Sequence, residues 1–199
     1  YGNAIKVLGG NIQIHAGGYR TETGQNPLLP LPDDQAAVQA ALAQPLVQTA
    51  TRRIITGGLV TSPEGAFGVN IIGIEPEKEQ EVNLAAQHLV EGRYLHADDG
   101  DTIFIGRGLA DAMAVGVGDR ITMVGRSTHD QMRQRTMTVA GIYDLGMPEL
   151  EKGTIYVSLA EAQSLFNLAG QSTEIAIVLK QLGTEPQVMA AIEPLLPGY

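Results

Sequence analysis

The chain of 199 residues is 44% hydrophobic, enough to bury a sizeable core as one large domain or two small ones. Its 13 basic residues against 22 acidic ones leave a net charge of −9, which disfavours nucleic acid and anionic membrane faces as partners except through a local patch. The absence of cysteine excludes disulfide staples, thiolate zinc sites and cysteine nucleophiles.

In chain order, Asn11 to Ala16 alternates polar and apolar residues and reads as a half-buried strand ended by Gly17 and Gly18. A loop with Pro27, Pro30 and Pro32 leads to Asp33 or Asp34, either able to cap a helix over Gln35 to Ala43 that stops before Pro45. Val47 to Val60 reads as a long strand broken by Gly57 and Gly58, and Phe67 to Ile74 as a central strand apolar on both faces. That last run contains Asn70 and Gly73, and no segment approaches the roughly 20 apolar residues of a membrane helix. A start at Tyr1-Gly2-Asn3 without methionine reads as a piece of something longer.

Glu77 to Gln87 is charged first and apolar later, fitting a short helix or an irregular crossing. From His88 to Gly125 the sequence predicts a compact α+β unit. It comprises a strand ending near Leu95, a polar turn, a strand Thr102 to Ile105, a short helix Leu109 to Ala114, and a strand from Arg120. Gly116 and Gly118 supply the reversal before that strand, with Asp119 placed to accept from neighbouring N–H groups. Arg120 to Gly125 and Arg135 to Tyr143 then form a hairpin, followed by a strand Thr154 to Val157. Ser158 and Glu161 make a capping box for a helix to about Leu168, with Gly170 as its left-handed stop. A strand Thr173 to Leu179 points Ile175, Ile177 and Leu179 inward, and a helix after Thr184 carries Val188, Met189, Ile192 and Leu195.

An αβ unit at each end frames the chain and predicts a discontinuous α+β architecture. Residues 1–61 and 171–199 form one α/β subdomain, and residues 62–170 an inserted, strand-rich one.

Candidate chemistry is sparse. Gly106-x-Gly108-x-x-Asp111 holds two thirds of a dinucleotide fingerprint but lacks the third glycine, and there is no P-loop. Asp98, Asp99 and Asp101 surround Gly100 without the glutamate that completes a calcium loop. His15, His88, His96 and His129 show no metal-ligand spacing, and Gly125-Arg126-Ser127-Thr128-His129 fails as a nucleophile elbow. Glu149 and Glu151 beside Pro148 read as solvated loop carboxylates. No catalytic residue, metal site or cofactor is expected. The feature that stands out is the hairpin tip, where Arg126, Arg133 and Arg135 face a single acid, Asp130, in an otherwise acidic protein. Such a basic projection can dock a carboxylate-bearing partner or a lipid headgroup. The Pro-rich segment Asn26 to Pro32 is a second candidate contact loop.

The order of EGRYL at 91–95, an acidic turn, IFIG at 103–106, a helix carrying Leu109-Ala110, and VGVGD at 115–119 resembles the extracytoplasmic core domain of MacB-like, FtsX-type ABC-transporter permeases. GNIQIHAGGY at 10–19 is similar to that family's first strand after its first membrane helix, and VNIIGIEPEKE at 69–79 to its GIDP-type strand and turn. The resemblance implies a non-enzymatic domain between the first two of four membrane helices, divided into porter and sabre subdomains. It also implies partners: a cytoplasmic ABC ATPase, a second permease subunit in a homo- or heterodimer, and an extracytoplasmic adaptor, lipoprotein or hydrolase. The cargo would be a lipoprotein, peptide or hydrophobic small molecule, with GNIQIHAGGY leaning to the lipoprotein-release branch. The competing readings are a small-ligand-binding or sensor domain with a cleft between subdomains, and an enzyme whose site gathers distant residues.

Overall fold

A computed structural model describes residues 5–8, 11–14, 31, 34–80, 83–127, 131–168, 170–180, 184–192 and 194. The elements run β1 (Ile5–Leu8), β2 (Asn11–Ile14), α1 (Asp34–Leu42), β3 (Val47–Ser62), β4 (Gly65–Ile74), α2 (Pro76–Glu79), α3 (Leu84–Gln87), β5 (Leu89–Gly92), β6 (Thr102–Gly106) and α4 (Arg107–Met113). They continue with β7 (Arg120–Arg126), β8 (Met132–Tyr143), α5 (Pro148–Glu151), β9 (Thr154–Ser158), α6 (Leu159–Phe166), β10 (Glu174–Leu179) and α7 (Glu185–Ile192). Two compact units result, Tyr1–Arg53 with Gly170–Tyr199, and Ile54–Ala169. The passage from one to the other falls within β3, at 53/54, where the sequence had suggested 61/62.

The first unit is an antiparallel ladder in the order β1, β2, β10, β3. Strand β1 was not anticipated. Ile175, Ile177 and Leu179 alternate inward along β10 as the pattern requires, against Val47 and Ala50 of β3, Ala37, Val38 and Ala41 of α1, and Val188 and Ile192 of α7. Alanine on the inner face of α1 lets the helix lie close to the strands. Asp34, the first residue of α1, is buried, and its carboxylate accepts from the Ser172 hydroxyl at 2.8 Å and faces Arg52 at 3.4 Å. A buried carboxylate needs such partners to offset its lost hydration.

The second unit is a barrel. Residues 54–62 of β3 pair with β4, β4 with β9, β9 with β6, β6 with β8, β8 with β7, and β7 returns to β3. Each of these six strands therefore has a neighbour on both sides. Ile54, Val60, Val69, Ile71, Ile103, Ile105, Ile121, Met123, Met137, Val139, Ile155 and Val157 fill the inside and are almost fully buried. Gly57 and Gly58 do not break β3. Gly58 sits directly across the β3–β7 ladder from Gly125, and a Cβ on it would strike the Val124 carbonyl and Ile71. A Cβ at Gly125 would occupy the place of the Phe166 ring. Glycine is needed there because neighbouring groups come too close for any side chain.

Helix α6 begins at Ser158, whose Oγ accepts the Glu161 N–H at 3.2 Å, as the capping pattern requires. Its end comes earlier than Gly170: Asn167 takes the left-handed conformation, and the Leu168 N–H donates to the Gln163 carbonyl. Asparagine tolerates that conformation because its short polar side chain bonds locally. Strand β5 likewise stops at Gly92, with φ +74°, before reaching Leu95. Strand β4 is apolar on both faces only near its end, since Ala66, Gly68 and Asn70 lie exposed.

Outside the barrel, Phe104, Tyr143, Ile74, Ala85 and Leu95 form a second cluster with Tyr94 and Tyr156. Phe104 meets Tyr94 edge-on at 5.7 Å and Tyr143 at 5.2 Å, geometries that favour aromatic pairs. No helix among the described residues is long and apolar enough to cross a membrane.

Candidate functional site

The basic hairpin is β7 and β8, with residues 128–130, including Asp130 and His129, outside the described residues. Arg133 lies across from Gly125 and Arg135 across from Met123, whereas Arg126 lies across from Met132. Directly opposed residues share a face and successive residues alternate, so Arg133 and Arg135 project from one face of the ribbon and Arg126 from the other. The three arginines are thus not one patch.

Arg126 and Arg133 are exposed, and the Arg133 guanidinium donates to Gln131 at 3.5 Å. Arg135 is engaged differently. Its Nη1 donates to Glu161 Oε1 at 2.6 Å, and its Nε lies 3.8 Å from Asp101 Oδ1. The sequence read Glu161 only as a capping residue; its carboxylate, 26 positions from Arg135, has a second task that no local spacing announces.

The glycine fragment is explained by packing. A Cβ at Gly106 would come within 2.6 Å of Glu151 Cβ, and one at Gly108 within 2.5 Å of the Pro148 carbonyl. The short helix α5, itself unanticipated, fills the space that a phosphate needs at the start of α4. Glu151 is therefore not a solvated loop carboxylate. It is buried, one oxygen accepts the Leu145 N–H, and the other has no hydrogen-bond partner among the described residues. The Glu149 side chain lies outside the described residues. Tyr143 donates to the Thr154 carbonyl at 2.8 Å, and burial, with Tyr156 and Glu151 adding, pushes its hydroxyl above the ordinary range.

The acidic turn is organised around an ion pair. Arg93 donates to both Asp99 oxygens, at 3.0 and 3.1 Å, and the His96 N–H adds a third bond at 2.8 Å. Burial alone drives the Asp99 carboxyl up, but these bonds and the adjacent charge of Arg93 outweigh it and hold the group below the usual carboxylate range. Asp119 accepts the Gly116 N–H at 2.8 Å, as its position in the turn suggested. His88 Nδ1 is 2.8 Å from the Leu84 carbonyl, and among the described residues no three metal-binding side chains gather. His15 and the Pro-rich loop, apart from Leu31, lie outside the described residues.

The chain matches the MacB-like periplasmic core domain over residues 3–195 and belongs to that family. Among curated relatives, the lipoprotein-releasing system transmembrane protein LolC of Xylella fastidiosa is 28% identical over 147 residues, 71% of this chain and 35% of that protein. LolC of Neisseria meningitidis is 25% identical over 133 residues, 64% of this chain and 32% of that protein. The matched region thus spans about a third of these relatives' length. In fold, the chain is similar to the periplasmic region of MacB from Actinobacillus actinomycetemcomitans, with TM-score 0.60, 14% identity, and coverage of 94% of this chain and 84% of that one. It is also similar to the extracellular domain of the transporter YknZ from Gram-positive bacteria, with TM-score 0.62, 12% identity, and coverage of 92% and 90%. The mixed α+β, strand-rich fold is shared with both.

Proposed function

We propose that this domain is the extracytoplasmic part of an ABC-transporter permease subunit, and that its job is mechanical. ATP hydrolysis on a separate cytoplasmic nucleotide-binding domain shifts the permease's membrane helices and moves this body rigidly, pushing or releasing a cargo. The observation that carries the reading is the family match over residues 3–195, with LolC among the relatives. The packed barrel supports it, because a close-packed core passes displacement on without absorbing it. The two units correspond, on this reading, to the family's porter and sabre subdomains. A second permease subunit completes the transporter, and an extracytoplasmic adaptor, lipoprotein or hydrolase meets the exposed arginines Arg126 and Arg133. The LolC relatives favour a lipidated cargo.

A pocket of about 100 Å³ lined by Gln44, Pro45, Leu46, Gln187 and Val188 lies in the first unit. It is smaller than the roughly 300 Å³ at which small-molecule sites begin, which leaves the sensor reading without support from that site. The direct test uses the full-length permease and its ATPase in proteoliposomes, with release of a lipidated reporter protein as readout. Deleting residues 3–195 is expected to abolish ATP-dependent release while ATP hydrolysis continues. Undiminished release would refute the mechanical role.

A further inference from the structure

The first unit carries the longest stretch of the chain without a charged side chain, Gln35 to Thr51, and α7 adds none from Pro186 to Ile192. Both helices cover the same face of the ladder, where Ala37, Val38 and Ala41 of α1 and Val188 and Ile192 of α7 meet the inward residues of β10. Their other sides are open: Gln35, Gln39 and Leu42 on α1, and Gln187, Ala190 and Ala191 on α7, are exposed. Asp34, the one charged residue of α1, is buried against Ser172 and Arg52. Among the described residues, the outward surface of this helical layer is thus uncharged, in a chain of net charge −9. The pocket lined by Gln44, Pro45, Leu46, Gln187 and Val188 opens where the end of α1 meets α7. Leu42, two residues before that pocket's wall, is 44% exposed.

We propose that this face is where a second copy of the chain docks, in a twofold contact that seats Leu42 of each copy in the pocket of the other. Two copies of an acidic chain repel through most of their surfaces, and association is least opposed where neither presents a charge. The face is also self-complementary in kind, with one projecting aliphatic side chain and one recess, a pairing that a twofold axis satisfies twice. An apolar cavity of about 150 Å³ admits a benzene-sized body, so a recess of about 100 Å³ suits one aliphatic side chain. Helices of nine and eight residues, rising about 1.5 Å per residue and about 10 Å wide, offer on the order of 250 Å² per copy. Two copies together bury about 500 Å² against the roughly 1,200 Å² at which stable complexes begin, so the contact is too small to hold free copies together. It suits partners already tethered side by side, where effective concentrations reach the millimolar range.

The proposal deepens the reading of a second permease subunit and rests on it, and the two fail separately. The chain has no cysteine, so full-length permease, cleared of any elsewhere, is prepared with Leu42→Cys in one tagged copy and Gln187→Cys in the other. A disulfide needs Cα atoms within about 7 Å, so oxidation by copper phenanthroline in proteoliposomes is expected to join the two copies. Ala190→Glu in both copies puts a carboxylate on the exposed face and is expected to abolish the product. Should that variant not fold, Gln39→Glu gives the same reading. No disulfide in a permease whose native mass shows two copies overturns the contact and leaves the second subunit standing. A permease that holds one copy beside a different subunit overturns it as well. A disulfide undiminished by the added carboxylates reports random collision and also overturns it. Release of the lipidated reporter is measured in parallel. With the disulfide formed, release that needs no ATP refutes the mechanical reading and leaves the contact standing.

Discussion

The barrel has two outer walls built by the same kind of alternating strand, and they end in opposite states. On one, Phe104, Tyr143 and Tyr156 of β6, β8 and β9 are covered by Tyr94, Ala85 and Leu95. On the other, Ala66 and Gly68 of β4, Leu59 and Thr61 of β3, Thr122 and Val124 of β7, and Gln134 and Thr136 of β8 are exposed or half-exposed. The side chains named on the second wall are small or uncharged and none is an acid, in a chain of net charge −9, and the exposed Arg120 and Arg126 of β7 lie on the same outward face. The difference teaches that alternation fixes which residues face outward, while the size of the outward side chains and the connections beside them fix whether that face is covered.

The largest contrast is expected between Phe104 and Leu59. Phe104→Ala removes a ring that is 1% exposed and should cost about 3–5 kcal/mol in chemical denaturation, whereas Leu59→Ala, at 41% exposure, should cost less than about 1 kcal/mol. Equal losses would mean that the second wall is covered. Next comes a pair of glycines. Gly108→Ala forces a Cβ against the Pro148 carbonyl and should destabilise by about 1–3 kcal/mol. Gly68→Thr, with open space around the added atoms, should change stability by no more than about 0.5 kcal/mol in the same titration.

A smaller effect belongs to Tyr143→Phe, which deletes the bond to the Thr154 carbonyl but keeps the ring, and should cost about 1 kcal/mol by thermal or denaturant unfolding. The smallest is electrostatic. The Asp99 carboxyl is depressed in the folded chain, so its contribution is complete above the unfolded value near 3.8 and is lost as pH falls through the lower folded value. Asp99→Asn should therefore lower stability slightly at pH 7, by less than about 1 kcal/mol given the exposed Arg93, and the gap to the parent should close in acid. A gap that widened on acidification would contradict the assigned direction.

Most strands were legible because alternation and turn residues are local signals. Ile175, Ile177 and Leu179 show this on β10, and Asp119 in the turn before β7. The close approach at Gly58 and Gly125 was not, since a glycine that breaks a strand and one that admits a neighbour look identical in sequence. Glu151 was misread for a related reason: beside Pro148 it resembles a loop residue, and only α5 packing on α4 buries it. At the hairpin the sequence located the arginines but not their division between faces or the hold of Glu161 on Arg135. Both depend on register and on a helix 26 positions away.

Closure of the strand ring also governs how copies of the chain behave when crowded. Unpaired strand edges are where foreign strands add on, and a closed ring offers none. In the second unit the open margin among the described residues falls to β5, Leu89–Gly92, which pairs with β8 alone. Glu91 charges that margin and the left-handed Gly92 ends it after four residues, so it is a poor template for cross-chain stacking into aggregates.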